Sequence, residues 1–499
     1  MGEQLLLFDV PHESHIVSSF SHRNLCDDSE RRKLEDKYRD ILIVTDKFDR
    51  RSVSYQLNKS SKIHNWLKYK EGFSSELVNM LLDEMSIPSG GVVMDPFAGS
   101  GTTLITCMMR GINSIGCDVM PISEVAVNAK ADIMNYNLIE LHKLRDSFAE
   151  LVMPEDYAGT TPCITITRSA YPPHNERFIH YASEWIKSTG YSENAQNLFT
   201  LCMINSLEQC SYTSKSGQYL SWDSRSQKVI DANKQRSIKG QRLLPENLCR
   251  DEIADVHDTV LEKLRNVISD INAIQKQRDT GRASVNFKLG SALYELPEMD
   301  SESIDGVITS PPYCNRYDYT RTYALELVYL GMNEEDIKRL RQNLISCTVE
   351  SRPKIDMLTD LYNGLGKTER FVHIQEVIRS NKAFSEILSA LNFRKANGDL
   401  NNSGIIRMVE GYFTELTFIY AELYRLCRKG AYIASVNDNV RYGGEVIPVD
   451  FLTTSIAEDL GFKPIRVYCL KQQKGNSSQQ MKKYGRIPLR KSITLWQKV

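Results

Sequence analysis

The sequence has no long apolar run, no low-complexity tract and no internal repeat. Without a run approaching the length of a bilayer crossing, no membrane-spanning helix is expected. The first residues lack the basic-then-apolar pattern of a secretory signal, so a cytoplasmic location in a bacterial or archaeal cell is expected. The eleven cysteines are scattered, with no C-x-x-C pair and no histidines at zinc-ligand spacing. They read as reduced thiols, and neither a disulfide framework nor a bound metal is expected. Net charge is nearly absent as well, at -1, which argues against attraction of the whole molecule to a polyanion. One absence is local. Beyond Asp459 there is no acidic residue at all, while ten lysines and arginines follow between Lys463 and Lys498. A second basic run, RSQKVIDANKQRSIKGQR at 225–242, has Asp231 as its only acid. Either run alone reads as a solvated face; two of them flanking a chemical motif point to a polyanionic partner.

What is present begins with a helix-turn-strand entrance, FSSELVNMLLDEM, IPSGG and VVMD. The strand runs into DPFAGSGTT, a second strand ends at Asp118, and a third strand signal, IDGVITS, stops at Ser-Pro-Pro-Tyr. Glycines at 99 and 101 let backbone amides approach a ligand, and the helix start behind them favours polar or anionic groups. An acid about twenty residues on, at the tip of the next strand, is placed for ribose hydroxyls. A nucleoside-bearing cofactor is therefore expected. A dinucleotide is disfavoured, because Leu104 stands where the third small residue of that fingerprint belongs. At 310–313, two prolines without amide hydrogens end the strand in a stiff corner with free carbonyl acceptors.

Taken together and in this order, DPFAGSGTT and TSPPY resemble the cofactor loop and catalytic motif of amino-group DNA methyltransferases, especially the cytosine-N4 modification methylases. WLKYKEGFSSELV at 66–78 is similar to the segment that precedes the family's glycine loop. FKLGSA sits where the family has Gly-Asp-Ala, with Ser291 replacing the aspartate that binds the adenine amine. The resemblance covers roughly 60–125, 285–325 and 405–499. It implies an α/β, Rossmann-like S-adenosylmethionine-dependent methyltransferase sheet interrupted by large helical insertions. The division expected is a tail or cap at 1–55, the cofactor half of the core at 56–125, and a helical insertion reading the target at 126–284. The catalytic part of the core at 285–324, a second helical insertion at 325–404, and closing strands with a basic end at 405–499 complete it.

The resemblance implies S-adenosylmethionine contacts from Phe73, Ser74, Asp95, Phe97, Gly99, Gly101, Thr102, Asp118 and Ser291. Catalysis falls to Ser310, Pro311, Pro312 and Tyr313. An exocyclic base amine is a weak nucleophile because its lone pair is delocalised; acceptors that take both amine hydrogens, here the Ser310 side chain and the Pro311 carbonyl, localise it, and Tyr313 stacks on the base. In duplex DNA the base must first leave the stack. DNA contacts are expected from Lys215, Gln218, Tyr219 and Arg225 in the first insertion, with a structural turn there as the alternative, and from Lys482, Lys483 and Arg486. Serine before the prolines is associated with cytosine N4; the alternatives are adenine N6 and, further off, an RNA guanine-N2 methyltransferase or a non-catalytic DNA-binding subunit. Expected partners are double-stranded DNA and a restriction endonuclease acting on the same site. QLLLF at 4–8 resembles the pentapeptide with which bacterial proteins dock on the sliding clamp, against the alternative of an amino-terminal strand packed on the domain.

Overall fold

A computed structural model describes residues 24–216, 219–246, 248, 252–277, 283–471, 481–485 and 487–499. The strands in chain order are β1 (Leu42–Thr45), β2 (Val92–Asp95), β3 (Asn113–Asp118), β4 (Thr213–Ser216), β5 (Tyr219–Trp222), β6 (Val285–Leu289), β7 (Ile304–Thr309), β8 (Cys427–Asp438), β9 (Val440–Tyr442), β10 (Glu445–Ile447), β11 (Phe462–Leu470) and β12 (Lys491–Lys498). Eight of them form one sheet in the order β1-β11-β12-β8-β7-β2-β3-β6. Only β12 runs against its two neighbours. The expected α/β sheet is therefore present.

β2 and β7 are buried over nearly their whole length, with apolar Val93, Met94, Val307 and Ile308 at their centres, because helices cover both faces of the sheet. The long helix Ile405–Leu426 packs on one face, and Ser75–Glu84 contributes to the core on the other. The chain builds β2, β3 and β6 outward in one direction, then returns to lay β7 on the other side of β2. That reversal is a topological switch point, and the crevice beyond the carboxyl ends of β2 and β7 is where such sheets hold ligands. The glycine loop and the Ser-Pro-Pro-Tyr corner open into it.

The two insertions are helical, as the spacing predicts. The first runs through helices such as Glu193–Ser206 and Val256–Gln275, and its buried side chains form a second core together with residues 63–69, Ile105, Met108, Met120, Ile122 and residues 323–340. It also contains the antiparallel pair β4–β5, which the sequence shows only as a turn. The second insertion runs from Glu334–Asn343 to Lys382–Ala396.

Two features were not drawn in detail by the sequence. Residues 24–55, expected as part of a tail or cap, are built into the fold. The helix Ser29–Lys37 buries Arg31 completely, its Nε 2.8 Å from Glu386 and its Nη2 3.3 Å from Glu445. β1 then extends the sheet beside β11. A segment stabilised by ion pairs to partners some 350–420 residues away shows little apolar period, so the sequence reads it only as a tail or cap. The second is a tight hairpin, β9–β10, turned by Gly443 and Gly444 with φ of 55° and 90°. Positive φ at both turn positions is what a two-residue hairpin of this kind needs. Its Tyr442 hydroxyl donates to the Cys314 carbonyl at 2.7 Å, bracing the corner that follows β7.

Candidate active site

β2 delivers Asp95 to the floor of the crevice, where it is almost fully buried. Its Oδ1 accepts from Thr309 Oγ1 at 2.7 Å and the Phe97 amide at 3.0 Å, and its Oδ2 accepts from Thr103 Oγ1 at 2.8 Å. Burial pushes its pKa up to about 6 against the pull of these three donors. Asp95 thus ties the glycine loop to the residue just before Ser310.

The loop itself turns on two left-handed glycines, Gly99 at φ +51° and Gly101 at +79°. A Cβ on Gly99 would lie 3.0 Å from the Tyr69 ring, and one on Gly101 would lie 2.7 Å from Val127 Cγ2. Only a bare backbone fits. Gly101 caps the helix Thr102–Met109. Lys130, fully buried, donates to the Ser100 carbonyl at 2.7 Å from beneath, and burial lowers its pKa to about 7. Asp118, at the tip of β3, accepts from the Gly99 amide at 2.8 Å through Oδ2 and from the Met120 amide at 2.9 Å through Oδ1. Burial raises its pKa, and the amides oppose the rise. A glycine cradle closed by Tyr69 and Val127, with a carboxylate at its rim, fits a nucleoside-bearing cofactor such as S-adenosylmethionine.

Two adjoining clefts open here. One, of about 450 Å³, is lined by Phe73, Phe97, Gly99, Asp118, Ser310 and Pro312, with Asp95 and Thr102 at its wall. The other, of about 380 Å³, shares Phe97, Asp118 and Pro312 and adds Ser291. Cofactor and catalytic candidates thus meet in one place. Ser74 does not join them: it is fully buried and caps the helix Ser75–Glu84, accepting from the Leu77 amide at 3.2 Å. Within the corner, Pro311 is buried, and Ser310 Oγ donates to Tyr313 Oη at 3.2 Å.

The sequence pointed less well to the aromatic wall. Tyr69 and Tyr319 line both clefts, and Tyr69 stacks on Tyr323 with ring centroids 5.0 Å apart. Glu71 accepts from the Tyr317 and Tyr323 hydroxyls. Tyrosines at 317, 319 and 323, just after Ser-Pro-Pro-Tyr, were the available signal.

The expected DNA contacts fare unevenly. Lys215 is not free for a phosphate: it is buried, its Nζ paired with Glu326 and 4.1 Å from the centroid of Tyr323. Placed on an inward position of β4, it was drawn into the protein by Glu326. Arg225 is partly exposed and pairs with Asp223 at 2.8 Å. Tyr219 opens β5, and Gln218 lies outside the described residues. Lys483 is exposed and pairs with Asp399; Lys482 lies in the same short helix, and Arg486 falls outside the described residues, as do residues 4–8. Among the described residues, Asp255, His257 and Asp258 stand within metal-ligand range. Two of them are otherwise engaged, Asp255 accepting from the amide of Asp258 and His257 Nε2 bonding the Phe148 carbonyl.

The DNA methylase family model N6_N4_Mtase matches residues 11–127, the part that includes the glycine loop. The chain is 48% identical over 482 residues to the type II methyltransferase M.BsoBI of Geobacillus stearothermophilus, covering 97% of this chain and 94% of that protein. It is 36% identical over 477 residues to the type II methyltransferase M.AvaI of a Nostoc species, covering 93% and 92%. The type II methyltransferase M.MvaI of Kocuria varians is 23% identical over 290 residues, 57% of each chain.

Proposed function

The chain belongs to the amino-group (N6/N4) DNA methyltransferase family, and on that premise we propose that it methylates the exocyclic N4 of cytosine in duplex DNA, with S-adenosylmethionine as donor. One observation carries this: Ser310 and Pro312 line the same cleft as Gly99 and Asp118. A base amine held by the corner after β7 would therefore meet a cofactor held by the loops after β2 and β3. S-adenosylmethionine supplies an electrophilic sulfonium methyl. Gly99 and Gly101 would present backbone to it, Asp118 would offer its carboxylate to the ribose, and Phe73, Phe97 and Ser291 would enclose the remainder.

The protein's part in the chemistry is positional. Ser310 directs its hydrogen to Tyr313, which leaves its oxygen lone pairs for one amine hydrogen. The Pro311 carbonyl takes the other, and the double proline holds both acceptors rigid, localising the lone pair of the attacking nitrogen. Tyr313 stacks on the flipped base. A serine at the first acceptor position, rather than a carboxylate or amide, supports cytosine over adenine, because the smaller ring sets its amine differently against that acceptor.

The relatives' designation as type II methyltransferases supports a role as the modification partner of a restriction endonuclease acting on the same site. Lys482, Lys483 and Arg486 are the proposed phosphate contacts. Residues 4–8 are proposed to dock on the sliding clamp, which a pull-down with residues 1–9 deleted tests: retained binding removes the idea. For the catalytic assignment, Ser310→Ala should bind S-adenosylmethionine with wild-type affinity and lose about 10²–10³ in single-turnover rate, as when one preorganised hydrogen-bonding group is removed from an active site. An undiminished rate overturns it.

A further inference from the structure

The basic carboxy-terminal stretch turns inward where it re-enters the sheet. Arg490 is committed to Asp450 at 2.8 Å and to Glu35 at 3.1 Å. Lys491, the first residue of β12, pairs in register with Asp438 at the end of β8. Its Nζ lies 4.9 Å from the centroid of the Tyr313 ring. The Tyr313 hydroxyl in turn receives the hydrogen of Ser310 Oγ at 3.2 Å. Two parts of the chain some 180 residues apart therefore converge on one phenol.

The chemistry of these groups restricts how they can pair. An ammonium only donates, a phenolic oxygen accepts through two lone pairs, and a serine hydroxyl has a single hydrogen to place. With its hydrogen on Tyr313, Ser310 faces the cleft as a pure acceptor. Were that hydrogen to swing into the cleft, it would oppose the amine hydrogens it is meant to receive. Anything that fixes Tyr313 therefore fixes the orientation of Ser310. Burial works against the Lys491 ammonium, but Tyr313 and Asp438 outweigh it and the like charge of Arg50, so its pKa stays above the ordinary lysine value and the side chain is kept charged beside the phenol.

We propose that Lys491 is a positioning residue for methyl transfer, its ammonium anchoring Tyr313 so that Tyr313 holds the Ser310 hydrogen and Ser310 Oγ presents lone pairs to the target amine. The inference rests on Ser310 acting as the amine acceptor. Lys491 touches neither base nor cofactor in this role; it acts through Tyr313.

The test is a double-mutant cycle on the full chain, reading single-turnover methylation of unmodified plasmid DNA and, separately, S-adenosylmethionine affinity. Lys491→Met should lower the rate about tenfold, less than direct loss of an active-site contact, without changing cofactor affinity, and Lys491→Arg should restore most of it. In a Tyr313→Phe background, which lacks the oxygen, Lys491→Met should cost nothing further. A full rate in Lys491→Met, or the same tenfold loss in both backgrounds, overturns the proposal. If Lys491→Met does not fold, Lys491→Gln takes its place in the cycle with the same two outcomes. Ser310→Ala run alongside separates the failures. If it keeps its rate, the acceptor assignment itself is wrong; if it is slow while the cycle shows no coupling, only the role of Lys491 falls.

Discussion

Asp118 serves the loop and the cleft with one carboxylate, since both oxygens already hold loop amides while the group also lines both clefts. Asp118→Ala should weaken S-adenosylmethionine binding by about 1.5–3 kcal/mol, the range for a hydrogen bond to a charged group. Titration calorimetry on the folded variant checks this, and unchanged affinity contradicts it. Lys215 makes the opposite point. Removing it leaves Glu326 buried and unpaired, so Lys215→Ala should lose about 3–5 kcal/mol of stability in urea unfolding while the salt dependence of DNA binding stays put. Unaltered stability with a salt slope reduced by about one would return Lys215 to the phosphate backbone. Gly99, Gly101 and Asp118 were legible because each answers a local demand, a left-handed turn or an acid at a strand tip. The partners of Asp95 were not all legible: Phe97 and Thr103 are close in sequence, but Thr309 reaches it only through the pairing of β2 with β7.

Among the elements, strands buried on both faces announced themselves as apolar runs, and the expected closing strands are present as the antiparallel pair β11–β12. The helix Ser29–Lys37 was hidden because it is held by charge. Glu445 accepts from Arg31 at 3.3 Å, from Arg394 at 2.8 Å and from the amides of Leu25 and Cys26 at 3.1 Å. Burial works to raise the Glu445 pKa, yet Arg394 and Arg31 hold it below the ordinary value of 4.5. A carboxylate with a depressed folded-state pKa contributes stability that is complete above its unfolded pKa and is lost as pH falls through the folded one. Stability should therefore decline below about pH 4.5, and Glu445→Gln should be less stable at pH 7 with a flatter acid limb. Urea titrations between pH 3 and 7 measure both; parallel acid limbs in variant and wild type would remove Glu445 from the account.

At the scale of the molecule, a net charge of -1 conceals a basic end whose members divide, with Arg490 and Lys491 turned inward and Lys483 exposed. Neutralising Lys482, Lys483 and Arg486 together should weaken binding to all DNA sequences alike and flatten its salt dependence; an unchanged slope would make that face merely solvated. The order of motifs along the chain was readable because each ends a strand, and the fold places both on the switch point of one sheet. How the first insertion meets the core was not readable, since its packing is a property of the assembled second core. The central claim, that this crevice methylates cytosine N4, is tested most directly by nucleoside mass spectrometry of unmodified plasmid DNA incubated with the protein and S-adenosylmethionine. N4-methylcytosine is the predicted product, sharply reduced with Ser310→Ala; N6-methyladenine alone would contradict the base assignment, and no methylated base at all would contradict the mechanism.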